Sequence, residues 1–235
     1  MLGLTPPVLS VPPVLSRRLQ ALFTYIPYGR VLADIGTDHA YLPIYAYLQG
    51  RIPAALACDI NPGPLEKAAQ HIHRYGLGAY IQTRLGNGLA PLLPGEAQCV
   101  VIAGMGGMLM VDILAQSLAV LASLERIVLQ PQHDVPAVRR ALHGHGFCIT
   151  DEEMLQEGPR YYNILCAEKG AEPPYSDAEY AFGRPLIQRK CPVLHAYSQE
   201  TLHRLQTKFA ATEAPALGEK IADLLQLLAV YPEEK

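Results

Sequence analysis

The chain has no tryptophan and only four phenylalanines among its 235 residues, and charged side chains make up just 17% of it. No run of about eighteen apolar residues escapes interruption by charge, proline or glycine, which argues against a membrane-spanning helix. The first sixteen residues are apolar and contain Pro6, Pro7, Pro12 and Pro13. They lack a basic start and a continuous apolar core, so they read as an irregular leader and not as a secretory signal. Cysteine is sparse and odd in number: Cys58, Cys99, Cys148, Cys166 and Cys191 lie far apart, mostly inside apolar runs. That usage predicts reduced, buried thiols in a cytoplasmic protein. His71-x-His73 and His143-x-His145 have no cysteine or carboxylate at ligand spacing, so they read as surface histidines, and no metal site is expected. No Ser-His-Asp or Cys-His arrangement is visible, and there are no repeats.

What is present is a 50% hydrophobic chain, enough for one full α/β domain with a smaller element appended. The net charge of −3 is unevenly spread. Residues 1–51 carry a surplus of +2, with Arg17, Arg18, Arg30 and Arg51 against Asp34 and Asp38. Residues 151–180 reach −6, eight acids against Arg160 and Lys169, and residues 184–208 reach +4, five bases against Glu200. A mildly acidic protein can still present a basic face if the two positive segments meet.

Strand and helix signals alternate through the first 170 residues or so, the signature of a parallel sheet covered on both faces. Strands are expected at 30–35, 54–59, 80–84, 99–103 and 126–130. Two further strands, 147–155 and 161–167, would join antiparallel through Gly158–Pro159. Helices are expected at 40–48, at 62–74 behind an Asn61 cap with Pro62 in the first turn, at 108–121 and at 136–143. Glu172–Pro173–Pro174 looks like a linker. Beyond it, Leu194, Tyr197, Leu202, Leu205 and Phe209 recur at helical spacing, as do Leu217, Ile221, Leu224, Leu225 and Leu228 after a break at Pro215 and Gly218. The expected division is a leader (1–15), a Rossmann-like domain (16–170) and a C-terminal helical hairpin (171–235).

Three local patterns carry chemistry. Asp34–Ile35–Gly36–Thr37–Asp38–His39 puts a carboxylate and a glycine at the tip of the first strand, on the edge where doubly wound sheets bind ligands. A dinucleotide site would need Gly-x-Gly-x-x-Gly around a pyrophosphate. Here acids flank the turn, which disfavours phosphate and suits a cationic ligand with an adenosine, such as S-adenosylmethionine. Asp59 and then Ile60 follow the second strand, and a carboxylate there can accept from both ribose hydroxyls. Asn87, between Gly86 and Gly88, can bond an adenine edge or simply make a turn. Ala103–Gly104–Met105–Gly106–Gly107 ends the fourth strand, where backbone can approach a flat base and Met105 can pack on its face. An adenine N1 needs no general base, so positioning could supply most of the rate; backbone carbonyls of the loop could orient the exocyclic amine.

These motifs occur with Ser16–Arg17–Arg18–Leu19–Gln20, Ala40–Tyr41–Leu42–Pro43 and Leu129–Gln130–Pro131 in one order. Over roughly residues 16–168 they closely resemble the bacterial TrmK family of tRNA adenine-N1 methyltransferases, which act at position 22 of tRNA. The resemblance implies a class I methyltransferase with a mostly parallel seven-stranded sheet and a helical, coiled-coil-like C-terminal domain. It places the donor site on Asp34, Gly36, Thr37, Asp38, His39, Asp59, Ile60, Asn87, Gly88 and Ala103. The acceptor loop falls on Gly104, Met105, Gly106 and Gly107. Where relatives often have Glu, Asp and Asn, this chain has Asp59, Asn87 and Gln132. The tRNA would cross a face shared by Arg17, Arg18, Arg189, Lys190, Arg204 and Lys208. A class I methyltransferase for a small-molecule or protein acceptor, and a non-catalytic adenosine-ligand binder, are the competing readings.

Overall fold

The computed structural model describes residues 11–212 and 214–231. Most of the expected leader, residues 1–10, therefore lies outside the described residues. Its end is anchored, since Leu15 is buried and the Ser16 hydroxyl caps α1 (Arg17–Tyr25) by accepting from the Leu19 N–H.

Seven strands form one sheet: β1 (Leu32–Ile35), β2 (Ala55–Asp59), β3 (Ile81–Leu85), β4 (Cys99–Met105), β5 (Arg126–Pro131), β6 (Phe147–Glu157) and β7 (Arg160–Lys169). Their order is β3-β2-β1-β4-β5-β7-β6, with β1 to β5 parallel and β7 antiparallel to both β5 and β6. Every residue of β1 and β2 is buried, as expected of parallel strands covered on both faces. One face packs on α1, α2 (Tyr41–Leu48) and α3 (Pro62–Arg74) through Leu22, Leu42, Ile44, Ala68 and Ile72. The other packs on α4 (Gly107–Ala115), α5 (Leu118–Ser123) and α6 (Val135–Gly144) through Met110, Leu114, Leu121, Val138 and Leu142. The strand order reverses between β1 and β4, which opens a crevice at their carboxyl ends.

The last two strands are longer than the rest. Pairing of β5 with β7 stops at Leu129–Leu165, whereas β6 and β7 stay paired out to Glu157–Arg160. The tip of this hairpin therefore overhangs the crevice. Beyond it come α7 (Asp177–Phe182), α8 (Arg184–Gln188), α9 (Pro192–Thr212) and α10 (Pro215–Leu228). They share a third core of Met154, Leu186, Cys191, Leu194, Leu227 and Tyr231, which seats them on β6.

Several expectations need correction. The helix expected at 108–121 is two, because the chain tightens at Ser117, whose N–H bonds Leu114 O. Gly218 does not break the last helix; it lies within α10, which opens at Pro215, and faces the Phe209 ring. Asn61 caps α3 without a side-chain bond, and its N–H instead reaches Asp59 Oδ1 at 2.8 Å. The segment at 172–174 is no loose linker, since Glu172 accepts from Ile149 N–H at 2.7 Å and pairs with His143 and Arg184. His71, His143 and His145 are half-buried and only His73 of the four is exposed: Tyr180 Oη and Glu172 hold His143, and the His39 carbonyl lies 3.1 Å from His71 Nδ1. The cysteines are all free, with Cys148 alone half-buried and the other four buried.

A buried ion pair joins the sheet to the C-terminal helices. Arg139 on α6 and Glu152 on β6 have side chains 1% and 0% exposed. Arg139 Nε and Nη2 reach the carboxylate at 2.6–3.1 Å, while Nη1 donates to the carbonyls of Tyr180 and Ala181 at 2.8 and 3.0 Å. Gly183, at φ +91°, passes so close that a Cβ would sit 2.5 Å from Glu152 Oε2. Removing one partner strands a buried charge, so Arg139→Met should cost about 3–5 kcal/mol in urea unfolding, and adding Glu152→Leu should recover much of it. A single variant as stable as the parent would contradict this account.

Candidate active site

The site forms where β1 and β4 diverge. Asp34 lies within β1 with Ala57 on one side and Val101 on the other, so its carboxylate enters the crevice from between apolar strand neighbours. Thr37 Oγ1 donates to Asp34 Oδ2 at 2.7 Å. The turn that follows is tightly bent: Gly36, Asp38 and Ala40 all have positive φ, at 74°, 51° and 56°. Asp38 is exposed and lies 3.4 Å from His39 Nε2. Among the described residues, His39 Nδ1 is buried and lacks a hydrogen-bond partner.

Asp34, Gly36, Thr37, Asp38, His39 and Ala103 line one cavity together with Arg18, Leu19, Tyr41 and Leu42. Its enclosed part measures about 100 Å³. The Met105 methyl narrows it, since a Cβ on Gly36 would lie 2.5 Å from Met105 Cε. Met105 therefore reaches back across the switch point toward the Gly36 turn. Asp59, Ile60, Asn87 and Gly88 do not line this cavity but follow it along the edge, at the ends of β2 and β3. Asp59 is buried and in register with Leu85. Ile60 and Leu85 are 59% and 61% exposed, an open apolar pair beside that carboxylate. Asn87 is exposed, and Gly88 is pressed against Ile113 of α4.

The residues fit a methyl donor of the S-adenosylmethionine type. Two buried carboxylates suit a cation and a ribose. Gly36 lets backbone come close, and the orphaned His39 nitrogen marks a polar wall. Burial pushes the Asp34 carboxyl up to about 6; the Thr37 hydrogen bond opposes the shift and the Asp59 charge adds to it.

The acceptor loop is held from β5. Gln130 is fully buried, and its Oε1 accepts from Arg18 Nη1 at 2.7 Å and from Gly104 N–H at 3.1 Å. Gln132 donates from Nε2 to Gly104 O at 2.8 Å and from its backbone N–H to Met105 O at 2.9 Å. The loop carbonyls expected to orient a base are thus already engaged. Gly106 lies under the His133 ring, where a Cβ would sit 2.7 Å from Cε1, and Gly107 abuts the His133 and Asp134 carbonyls.

Sequence reasoning missed the work of Arg18 and Gln130. Arg18, expected on the RNA face, lines the donor cavity as well as the neighbouring cavity beside Tyr162, with its guanidinium 5.8 Å from that ring's centre. The signal available was Gln130 itself, an amide directly after the apolar run Ile127–Val128–Leu129. The basic segment also differs from expectation. Arg189 is paired with Asp151 at 2.6 Å and with the Glu152 carbonyl, and Arg184 with Glu179. Arg17 reaches Gln156 O at 3.4 Å, whereas Lys190 and Arg204 are exposed. No helix among the described residues is long and apolar enough to cross a membrane, and no cluster of metal-ligating side chains occurs among them.

Residues 15–165 match the family model described as a methyltransferase domain. A Bacillus subtilis tRNA (adenine(22)-N(1))-methyltransferase is 42% identical over 156 residues, 66% of each chain. The matches to two Mycoplasma relatives span 62% and 64% of their lengths. The chain is thus aligned with a little under two thirds of the curated relatives' own length. Among solved structures, that of the B. subtilis m1A22 tRNA methyltransferase TrmK superposes with a TM-score of 0.83 at 32% identity, covering 92% of this chain and 99% of that one. A Streptococcus pneumoniae structure solved with S-adenosyl-L-methionine gives 0.86 at 36%, covering 92% and 100%.

Two outcomes follow from the geometry. Because the folded Asp34 value lies above the usual carboxylate value, stability falls as pH rises from about 4 to 6 and then levels. Asp34→Asn should remove that component, so that parent and variant urea midpoints diverge with pH only inside this window; a constant difference would refute it. Gly107→Ala has no room beside the His133 carbonyl and should cost roughly 1–3 kcal/mol in the same assay.

Proposed function

The chain belongs to the TrmK family of tRNA methyltransferases, and on that premise we propose that it methylates N1 of the adenine at position 22 of tRNA. The observation that carries the reading is the pairing of two buried carboxylates, Asp34 and Asp59, with a glycine cradle at the switch point and a glycine loop directly across from it. S-adenosylmethionine, when bound, supplies an electrophilic methyl group on a sulfonium sulfur. Asp59 has Oδ1 committed to Asn61 N–H, which leaves Oδ2 to accept from the ribose hydroxyls. Ile60 and Leu85 flank the adenine ring of the donor, and Asn87 meets its edge beside the tightly packed Gly88. Gly36, Thr37, Asp38 and His39 surround the methionine part, with the Asp34 carboxylate facing the positive charge. Ala103 floors the crevice between donor and acceptor.

On the acceptor side, Gly104, Met105, Gly106 and Gly107 form the surface against which the target base lies. Its N1 lone pair is free at neutral pH, so no side chain has to remove a proton. The loop's task is alignment, and Gln130 and Gln132 fix the loop for it. Gln132 is bonded through its amide nitrogen, which leaves its amide oxygen for the exocyclic amine of the adenine. Position 22 lies in the folded core of tRNA, so the base has to leave its stack. The helices after residue 171 act as a unit that reads tRNA shape, with Arg17, Lys190, Arg204 and Lys208 as phosphate contacts. Arg18 and Arg189 serve chiefly to hold the site and the helices in place. The cytoplasm, where tRNA is found, is the site of action.

The test is methyl transfer from labelled S-adenosylmethionine to bulk unmodified bacterial tRNA, followed by mapping of the modified base. Label recovered as 1-methyladenine at position 22 is expected, and Gln132→Ala should lower kcat at least tenfold with donor affinity unchanged. Donor binding without transfer to any tRNA would sink the proposal and redirect it to other acceptors.

A further inference from the structure

A trough leads away from the acceptor loop and is not needed to hold one adenine. Its first section, about 470 Å³, is walled by Arg18, Gln132, His133 and the overhanging hairpin residues Arg160, Tyr161 and Tyr162. A second section of about 490 Å³ shares Gln132, His133 and Tyr161 and runs on to Tyr197 and Arg204 of α9. Each section falls within the roughly 300–1,000 Å³ of ordinary small-ligand sites. The two sections therefore make one path from the catalytic loop to the C-terminal helices.

The lining has a specific chemistry. Tyr161 and Tyr197 meet edge to face with centroids 5.2 Å apart, and the Tyr161 hydroxyl donates to Glu200 at 2.8 Å, which fixes its ring. His133 is 65% exposed above Gly106, with Nδ1 2.6 Å from Asp134. Arg160 and Arg204 are exposed at opposite ends of the trough. Flat rings interleaved with guanidinium groups are what single-stranded nucleic acid requires, bases stacking on rings and phosphates meeting arginines.

We propose that this trough binds nucleotides flanking the target adenosine, splayed out of the tRNA stack together with it. One flanking base lies on Tyr161 and Tyr197, and its phosphates face Arg160 and Arg204. The enzyme then opens a short stretch of strand and does not extract a single base from an intact stack. This inference rests on the tRNA reading above, in that it names which part of the RNA meets which part of the protein.

The experiment measures binding, so that it is independent of turnover. Fluorescence anisotropy with labelled, unmodified tRNA gives Kd for the parent, Tyr161→Ala, Tyr161→Phe and Arg160→Ala. The same series is run on tRNAs made abasic at the nucleotide immediately 5′ or 3′ of position 22. For the parent, one abasic change should weaken binding about tenfold, the size of one base–aromatic stack. Tyr161→Ala should bind intact tRNA about tenfold more weakly and no longer distinguish it from that abasic form. Tyr161→Phe, which keeps the ring and loses only the hydroxyl, should retain the discrimination. Arg160→Ala should weaken all RNAs alike and flatten the salt dependence by about one phosphate contact. If the parent binds both abasic tRNAs as tightly as intact tRNA, or if Tyr161→Ala discriminates as the parent does, the trough does not hold flanking bases. Tight, discriminating binding without methyl transfer would overturn the reaction assignment while leaving the trough intact.

Discussion

The Arg139–Glu152 pair is the contact on which the working shape depends. Both charges are out of water, and each is hydrogen-bonded within the protein. Such a pair contributes little net stability over apolar side chains of the same size, but a displaced partner is costly. The arrangement therefore specifies geometry more than it adds stability. It fixes α6 to β6, and through the Tyr180 and Ala181 carbonyls it fixes the point where the C-terminal helices depart. The glycine at 183 is part of the same device, since no side chain fits between the pair and the turn. The far wall of the trough is built from α9 and the hairpin tip, which the third core and the Tyr161–Tyr197 contact hold together.

Charge is segregated along a single sheet edge. Near β1 and β2 the chemistry is acidic, with Asp34 and Asp59 buried in the crevice wall and Asp38 exposed beside them. Past β5 it is aromatic and basic, with Tyr161, Arg160 and Arg204. Arg18 stands at the boundary and is held there by Gln130, which also holds the acceptor loop. A protein of net charge −3 can thus attract a cation and a polyanion to adjacent places, because local fields and not net charge steer each ligand. One buried carboxamide coordinates the two halves, because a shift of Gln130 would move both the cationic wall and the Gly104 backbone.

The strand–helix alternation was legible in the sequence because parallel strands buried on both faces read as short apolar runs. Asp34, Gly36, Thr37, Asp38, His39 and Ala103 do meet in one cavity, and Asp59 and Asn87 do follow along the same edge. Local spacing on strand ends dictates that much. What escaped was tertiary. Arg18 and Arg189 read as free surface charge, yet their partners Gln130 and Asp151 are 112 and 38 residues away. His143 read as exposed for the same reason, since Glu172 comes from a segment that looked like linker. The trough was invisible because its rings come from β7 and α9, which are distant in sequence and meet only in the folded chain. The small helices α7 and α8 are too short to show a period.

The chemistry itself makes few demands on this chain. A nitrogen with a free lone pair and a donor with a good leaving group need no proton relay, and Asp34 and Asp59 lie on a different wall from the acceptor loop. The rate then depends on how long the base stays in line with the donor, which is a question of RNA distortion. A target buried in the core of a folded tRNA has to be exchanged for something that stabilises the opened strand. Single-base extraction leaves both flanking stacks broken and uncompensated, at a few kcal/mol per step. Rings that accept the neighbours recover stacking where the helix loses it, and guanidinium groups recover phosphate neutralisation. Those rings stand on a hairpin overhang and on a helix seated by the third core, where an opened strand would meet both.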